Sequence, residues 1–439
     1  MSSFAIALIG MAIMLVLIAL RVPVGVAMLM VGMGGYWSMA GLDPLLNYAK
    51  TAAYWKFSNY DLSIIPMFLI MGQFSGKAGL SRALFESASA FLGHRRGGLA
   101  MASIAGCAGF GAICGSSLAT AATMAQVALP ELRRYNYSGG LATATLAAGG
   151  TLGILIPPSI VLVIYAIQVE ANITTLFQAA FVPGVLAALG YMLAIYLYVL
   201  AWPEAGPVRP KASRKVMLTA FLATWPVNVI FVLVIGGIYL GVFTPTEAAA
   251  VGMVGMGIIA YWRGGLTLKG FFESVTGAAV FSAMVYLILL GAEFFNGFLA
   301  LSRMPAQAAE LIQNSGMAPL MVLVSMVLVY LVLGCVMDSL AMILLTVPIF
   351  WPIISTLDFG MPVEDVKIWF GIITLIVVEV GLITPPVGLN VFIINSMAKD
   401  TPMKETFKGV VPFLFTDLIR VTLLILFPLL ALGLPRLLL

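Results

Sequence analysis

Gly153-Ile154-Leu155-Ile156-Pro157-Pro158 and Gly381-Leu382-Ile383-Thr384-Pro385-Pro386 each place a double proline inside a long apolar run. Two adjacent prolines remove two amide donors and bar the helix from the residues just before them. With a glycine upstream, each motif predicts an unwound stretch with free carbonyls, which survives at membrane depth only when buried in protein or lining a cavity. Carbonyl oxygens and helix C-terminal ends suit small hard cations. The helices expected to restart at Ser159 and Val387 offer their positive ends to an anion.

The rest of the chain supports a membrane setting. Of its 439 residues, 62% are hydrophobic and 9% charged, against about 25% charged in ordinary globular proteins. Apolar stretches of about 18 residues or more, enough to span a hydrocarbon core, separate the charged groups. The fold class is an all-α polytopic membrane protein; strand-type alternation is missing, which excludes an outer-membrane barrel. Spans are expected at 3–20, 22–42, 62–79, 140–170, 176–201, 217–241, 245–262, 271–292, 368–397 and 409–435. Residues 1–20 lack a basic start and a small-residue cleavage site and read as a retained first span.

Two regions read instead as re-entrant hairpins. In 97–130 the tip is Cys114-Gly115-Ser116-Ser117, and the piece Leu118 to Pro130 has only 13 residues, about 20 Å of helix. Basic residues flank both ends: His94, Arg95 and Arg96 before, Arg133 and Arg134 after. The second, 305–357, has its polar break at Met337-Asp338-Ser339 and a return loop carrying Asp358, Glu364 and Asp365 against Lys367. Each hairpin precedes one double-proline segment, 140–170 or 368–397, and the opposite loop charge makes the pair an inverted repeat. The halves are 1–201 and 217–439, joined by a linker at 202–216 whose Arg209, Lys211, Arg214 and Lys215 mark it as cytoplasmic. Both termini then lie outside. Residues 80–96 and 293–304 read either as interfacial arm helices or as further spans.

Tip and break should meet at mid-membrane, giving two cation sites that flank an anion site. The tips supply Ser116, Ser117 and Thr120 in one half, Asp338 and Ser339 in the other. Asp338 also suits an N-cap of the returning helix. Glu379, two residues before Gly381, can lend charge to the second break, although Thr151 occupies its counterpart position. Asn390 faces either the central cavity or a neighbouring helix. Asp417 and Arg420, at i and i+3, neutralise each other, and Thr244-Pro245-Thr246-Glu247 reads as a capping box. A competing account makes the proline motifs plain kinks and the small residues plain packing. Two breaks in matching positions, each with a polar-tipped hairpin, favour binding.

Other chemistries find little support. Gly72-Gln73-Phe74-Ser75-Gly76-Lys77 is one residue short of a nucleotide loop and is followed by alanine. No ATP use is expected, so transport runs on an ion gradient or on another subunit. Cys107, Cys114 and Cys335 form no CxxC pair and His94 is the lone histidine, leaving no basis for a disulfide or transition-metal site. The net charge of +4 is scattered over loops, which argues against nucleic acid as a partner. No nucleophile elbow or histidine cluster suggests an enzyme.

The motifs resemble those of a known family, the large membrane subunit of the tripartite ATP-independent periplasmic (TRAP) transporters, within the broader ion-transporter group of elevator carriers. The stretches that carry the resemblance are Arg21-Val22-Pro23-Val24-Gly25, Ile65-Pro66-Met67-Phe68, the tip from Phe110 to Ala121, Gly149 to Ser159, Phe243 to Ala248, and Gly381 to Asn390. What it implies is a sodium-driven secondary importer of organic anions such as C4-dicarboxylates or sialic acid, in the bacterial inner membrane. A periplasmic binding protein delivers substrate and a small four-helix membrane subunit, here expected as a separate protein, completes the scaffold. Carried over to this chain, the resemblance gives sodium ligands at Ser116, Ser117 and Gly153 in one half and at Asp338, Ser339, Gly381 and Thr384 in the other. It gives Thr120, Ser159 and Asn390 to the substrate. The segments 97–170 and 305–397 would move as a transport domain against the remaining scaffold. Two rivals stand beside this reading: a proton-coupled carrier using Glu379 and Asp338, and an ion channel with the tips as filter.

Overall fold

The computed structural model describes residues 2–438, and every regular element among them is a helix. After the double-proline breaks, helices restart as Ile160–Val169 and Leu389–Met397, behind Gly139–Leu155 and Val363–Gly381. The Pro157–Pro158 and Pro385–Pro386 bonds are both cis. The first break bends the chain by 44°. The second restart differs from the expected Val387: Gly388, at φ +62°, occupies the N-cap and the helix begins one residue later.

Each break follows a helix–tip–helix unit. The first joins Gly98–Cys114 to Ser117–Arg134, the second Pro319–Gly334 to Ser339–Ile354. The first return helix is 18 residues long rather than ending at Pro130. An internal proline forfeits one hydrogen bond and clashes with the preceding turn, yet packing holds the helix together here, as it does through Pro348 and Pro352.

Three further boundaries correct the sequence reading. The region 271–304 forms one 35-residue helix, Leu268–Ser302, about 50 Å long. Its left-handed end at Arg303 leads into a separate helix, Met304–Asn314, so the second helix–tip–helix unit begins at Pro319 rather than 305. The expected span 217–241 divides into Arg214–Leu222 and Trp225–Tyr239, bent by 44° where Pro226 enters the new first turn. The last span likewise breaks at Phe427-Pro428 into Met403–Leu426 and Leu429–Leu438. By length and composition, three helices can each cross a membrane, or five elements if each bent pair is one span.

Glycines set the closest helix contacts. Val24–Ala40 lies along Leu268–Ser302 so tightly that a Cβ on Gly32 would stand 2.5 Å from the Phe295 nitrogen, and one on Gly291 2.2 Å from the Gly25 oxygen. Helix association in lipid relies on such small-residue approach. On Ile173–Ala201, the exposed Leu186, Leu189, Leu193, Leu197 and Leu200 recur every three or four residues as an outward apolar stripe. The opposite face packs on Gly139–Leu155 and Met403–Leu426.

Candidate functional site at the two hairpin tips

The tips are built alike. Gly115, at φ +63°, turns the chain so that the Ser116 Oγ accepts from Ala119 N at 3.4 Å and caps the return helix. Asp338 does the same in the second half, accepting from Ala341 N at 2.7 Å. The cap expected of Asp338 is therefore present, and Ser117 and Ser339 take equivalent first positions in their helices.

Those two serines converge on one carboxylate. Ser339 Oγ donates to Glu379 Oε1 at 2.7 Å, and Ser117 Oγ donates to Glu379 Oε2. Glu379 is fully buried, two residues before Gly381, the last residue of its helix. A carboxyl group so far from water needs hydrogen bonds from its surroundings. Both tips supply them.

Beside this bridge lies a cavity of about 50 Å³ bounded by Ser116, Ser117, Asp338, Ser339, Leu382 and Phe281. It thus joins both tips to the second break and to the long helix Leu268–Ser302. Gly153 and Gly381 permit the approach of tip and break: a Cβ on Gly153 would lie 2.5 Å from Thr120 Oγ1 and 2.8 Å from the Ser116 oxygen, and one on Gly381 2.5 Å from the Gly334 Cα.

The other sequence-derived candidates sit elsewhere. Thr120 and Asn390 are fully buried and do not border the cavity. Asn390 Nδ2 donates to the Ala147 carbonyl at 3.1 Å, leaving its Oδ1 without a partner among the described residues, as is Thr120 Oγ1. Asn390 reaches the first broken helix, where its Nδ2 is 3.1 Å from a Cβ position on Gly150. Ser159 turns inward and caps its own helix, accepting from Leu162 N at 3.4 Å. Thr384 donates to the Val380 carbonyl at 2.6 Å, a local bond.

Thr151 leads to a second buried network. Its hydroxyl is 3.1 Å from Tyr191 OH, which donates to Asp417 Oδ2 at 2.8 Å, and Arg420 Nη2 donates to Asp417 Oδ1 at 2.7 Å. The ion pair was legible as i, i+3; its link to the broken helix was not, because Tyr191 stands 226 positions from Asp417. The capping box at Thr244 is also present, with Glu247 N donating to Thr244 Oγ1 at 3.3 Å and Thr244 N to Glu247 Oε2 at 2.8 Å.

At the bridge and the cavity beside it the polar side-chain atoms are oxygens: the hydroxyls of Ser116, Ser117 and Ser339 and the carboxylates of Asp338 and Glu379. That set suits a small hard cation.

Comparison with known proteins fits these features. Residues 11–430 match the family described as "Tripartite ATP-independent periplasmic transporter, DctM component". The C4-dicarboxylate TRAP transporter large permease protein DctM of Pseudomonas aeruginosa is 36% identical over 86% of this chain and 87% of its own length. The sialic acid TRAP transporter large permease protein SiaM of Vibrio cholerae is 31% identical over 89% and 90%, and the ectoine TRAP transporter large permease protein TeaC of Halomonas elongata 30% over 85% and 86%. Among solved structures, the Alcanivorax borkumensis YdaH transporter aligns with a TM-score of 0.63 over 87% of this chain and 88% of that one, at 14% identity, a likeness of fold alone. The chain belongs to the TRAP transporter large permease (DctM) family.

Proposed function

We propose that this protein carries a small organic acid inward across the bacterial inner membrane, coupled to sodium. A periplasmic binding protein hands over the substrate, and a small four-helix membrane subunit completes the complex. The relatives' names span C4-dicarboxylate, sialic acid and ectoine, so the substrate class is a small carboxylate. The observation that carries the reading is the bridge from Ser117 and Ser339 to Glu379. Both serines spend their protons on the carboxylate, which leaves their oxygens as acceptors, and acceptors are what a sodium ion needs. Ser116, Gly153, Asp338 and Gly381 surround the same locus. Thr120 and Asn390, given to the substrate on sequence grounds, suit the ion better, since each holds a buried oxygen without a partner.

In this reading the two helix–tip–helix units and the broken helices are inverted repeats that move together as an elevator. Packing supports a moving group larger than 97–170 and 305–397. Ile173–Ala201 and Met403–Leu426 travel with it, tied to Gly139–Leu155 through Thr151, Tyr191 and Asp417 and through Gly409, whose Cβ would lie 2.4 Å from the Gly140 oxygen. Val24–Ala40 and Leu268–Ser302 form the scaffold. Basic residues at 133, 134 and 209–215 face the cytoplasm and both termini the periplasm.

Thermal unfolding of the purified complex in sodium, against choline at equal ionic strength, tests the coupling, because a ligand of the folded state stabilises it by mass action. Saturable stabilisation by sodium alone is expected. Glu379 gives the proton-coupled reading its one specific support, and uptake that persists without sodium but responds to pH would establish that reading instead.

A further inference from the structure

A second cavity shares a wall with the one at the tips. It measures about 150 Å³ and lies between Ser117–Arg134 on one side and the helices Ile64–Lys77 and Leu268–Ser302 on the other. Gln73, Thr123 and Gly277 line it, and Ser116 and Phe281 border both spaces.

Volume decides what each space can hold. The tip cavity, about 50 Å³, exceeds the ~10–15 Å³ that one water requires, but both it and the second space, about 150 Å³, fall short of the roughly 300 Å³ at which small-molecule sites begin. An organic acid therefore passes only when Phe281 swings aside and the two spaces join and widen. Helical side chains lean toward the helix N-terminus over residues i−3 and i−4, which puts the Phe281 ring above Ala278 and Gly277. At Gly277 the space is open: a Cβ would meet nothing nearer than the Gln73 side-chain amide, at 3.9 Å. No charged side chain lines the chamber. The nearest cation along Ile64–Lys77, Lys77, is occupied by Glu273 at 2.7 Å. A carboxylate passing through therefore meets the amide donors of Gln73 and the hydroxyl of Thr123 without being held by a fixed positive charge.

We propose that this second cavity is the chamber through which the organic anion leaves toward the cytoplasm, with Phe281 as the movable partition and Gln73 as the side chain that hydrogen-bonds the anion. The assignment rests on the transport reading above, and the sidedness on the basic residues at that end of Ile64–Lys77: Lys77, Arg82, Lys269 and Arg263, whose guanidinium donates to the Ala78 carbonyl at 3.3 Å.

Two measurements on the complete complex in membrane vesicles test it. First, uptake is measured for whichever of succinate, isethionate and sialic acid the wild-type complex accumulates. Gly277→Leu, which fills the passage from the exposed side of a helix, lowers uptake about tenfold or more while the sodium-dependent rise in unfolding temperature is kept. Wild-type uptake by Gly277→Leu overturns the proposal. Second, Gln73→Cys, in a background with Cys107, Cys114 and Cys335 changed to alanine, reacts with a membrane-impermeant thiol reagent in inside-out vesicles and does so more slowly in right-side-out ones. A thiol that is unreactive, or reached only from outside, overturns it even if Gly277→Leu fails to assemble. A wild-type complex that accumulates none of the three probes, with the thiol still reactive from inside, counts against the transport reading and not against the water-filled passage.

Discussion

Gly334 and Gly381 meet backbone to backbone: a Cβ on Gly381 would lie 2.5 Å from the Gly334 Cα, and one on Gly334 2.9 Å from the Gly381 Cα. The first half repeats the contact, with a Cβ on Gly111 placed 2.5 Å from the Gly153 Cα. In each half the outgoing arm of the hairpin therefore lies directly on the helix that ends in the double proline, with no side chain between them.

Alanine at Gly381 should force these backbones apart. Overpacking of this kind costs about 1–3 kcal/mol, and here it also displaces the carbonyls of the break. We expect Gly381→Ala to lower the unfolding temperature and to weaken sodium-dependent stabilisation. Gly76→Ala, where a Cβ meets nothing within 4 Å, serves as the control and should do neither. Equal behaviour of the two variants would show that the close contact carries no function.

Glu379 should separate folding from ion response. In Glu379→Gln one side-chain oxygen remains to accept a serine hydroxyl, so the complex should still assemble, but the charge proposed to hold a cation near both tips is gone. Glu379→Ala leaves Ser117 and Ser339 without their acceptor, at about 1–3 kcal/mol for each buried group left unsatisfied. The expected order of yield is wild type, Gln, Ala, with sodium-dependent stabilisation lost in both variants. A Gln variant that responds to sodium as the wild type does would remove the carboxylate from the cation site.

Serine substitutions distinguish cation ligands from caps. Ser117→Ala and Ser339→Ala each delete a hydroxyl at the bridge, and apparent sodium affinity should fall by more than protein level does. Ser159→Ala deletes only the cap on Leu162 N, worth about 0.5–2 kcal/mol, and should lower stability with sodium affinity unaltered. Sodium titrations of unfolding temperature provide the comparison; parallel loss of fold and affinity at Ser117 would favour simple packing.

The sequence revealed the elements whose signal is local. Double prolines, the tips, and the Thr244-to-Glu247 box each depend on residues within a few positions, and each is where the sequence places it. Glu379 was noticed for its charge, but its partnership with Ser117 crosses 262 positions and has no periodicity to betray it. In the long helix Leu268–Ser302, Glu293 interrupts the apolar run and makes the sequence look like two pieces; in the fold that residue is held by Lys56 at 3.1 Å and by Tyr48 OH at 3.0 Å. Pro130 misled for the opposite reason. Its local rule was sound, and tertiary packing overrode it.

The buried pair Asp417 and Arg420 gives an asymmetric expectation. Their side chains are 1% and 7% exposed, and removing one partner of such a pair costs about 3–5 kcal/mol by stranding the other charge. In Arg420→Met the carboxylate keeps the hydrogen bond from Tyr191 OH at 2.8 Å. In Asp417→Leu the guanidinium keeps no hydrogen bond, since its Nε and Nη1 already lack partners among the described residues, and is left with only the face of the Tyr191 ring, 6.0 Å away. Asp417→Leu should therefore be the more damaging of the two in folded yield and unfolding temperature. The double variant should recover much of the loss, because replacing both charges by apolar groups removes the stranded ion. Because Tyr191 links this pair to Thr151 on the broken helix, recovery of stability without recovery of uptake would mean that the network also holds Gly139–Leu155 in register with its neighbours during transport, whereas full recovery of both would reduce it to packing.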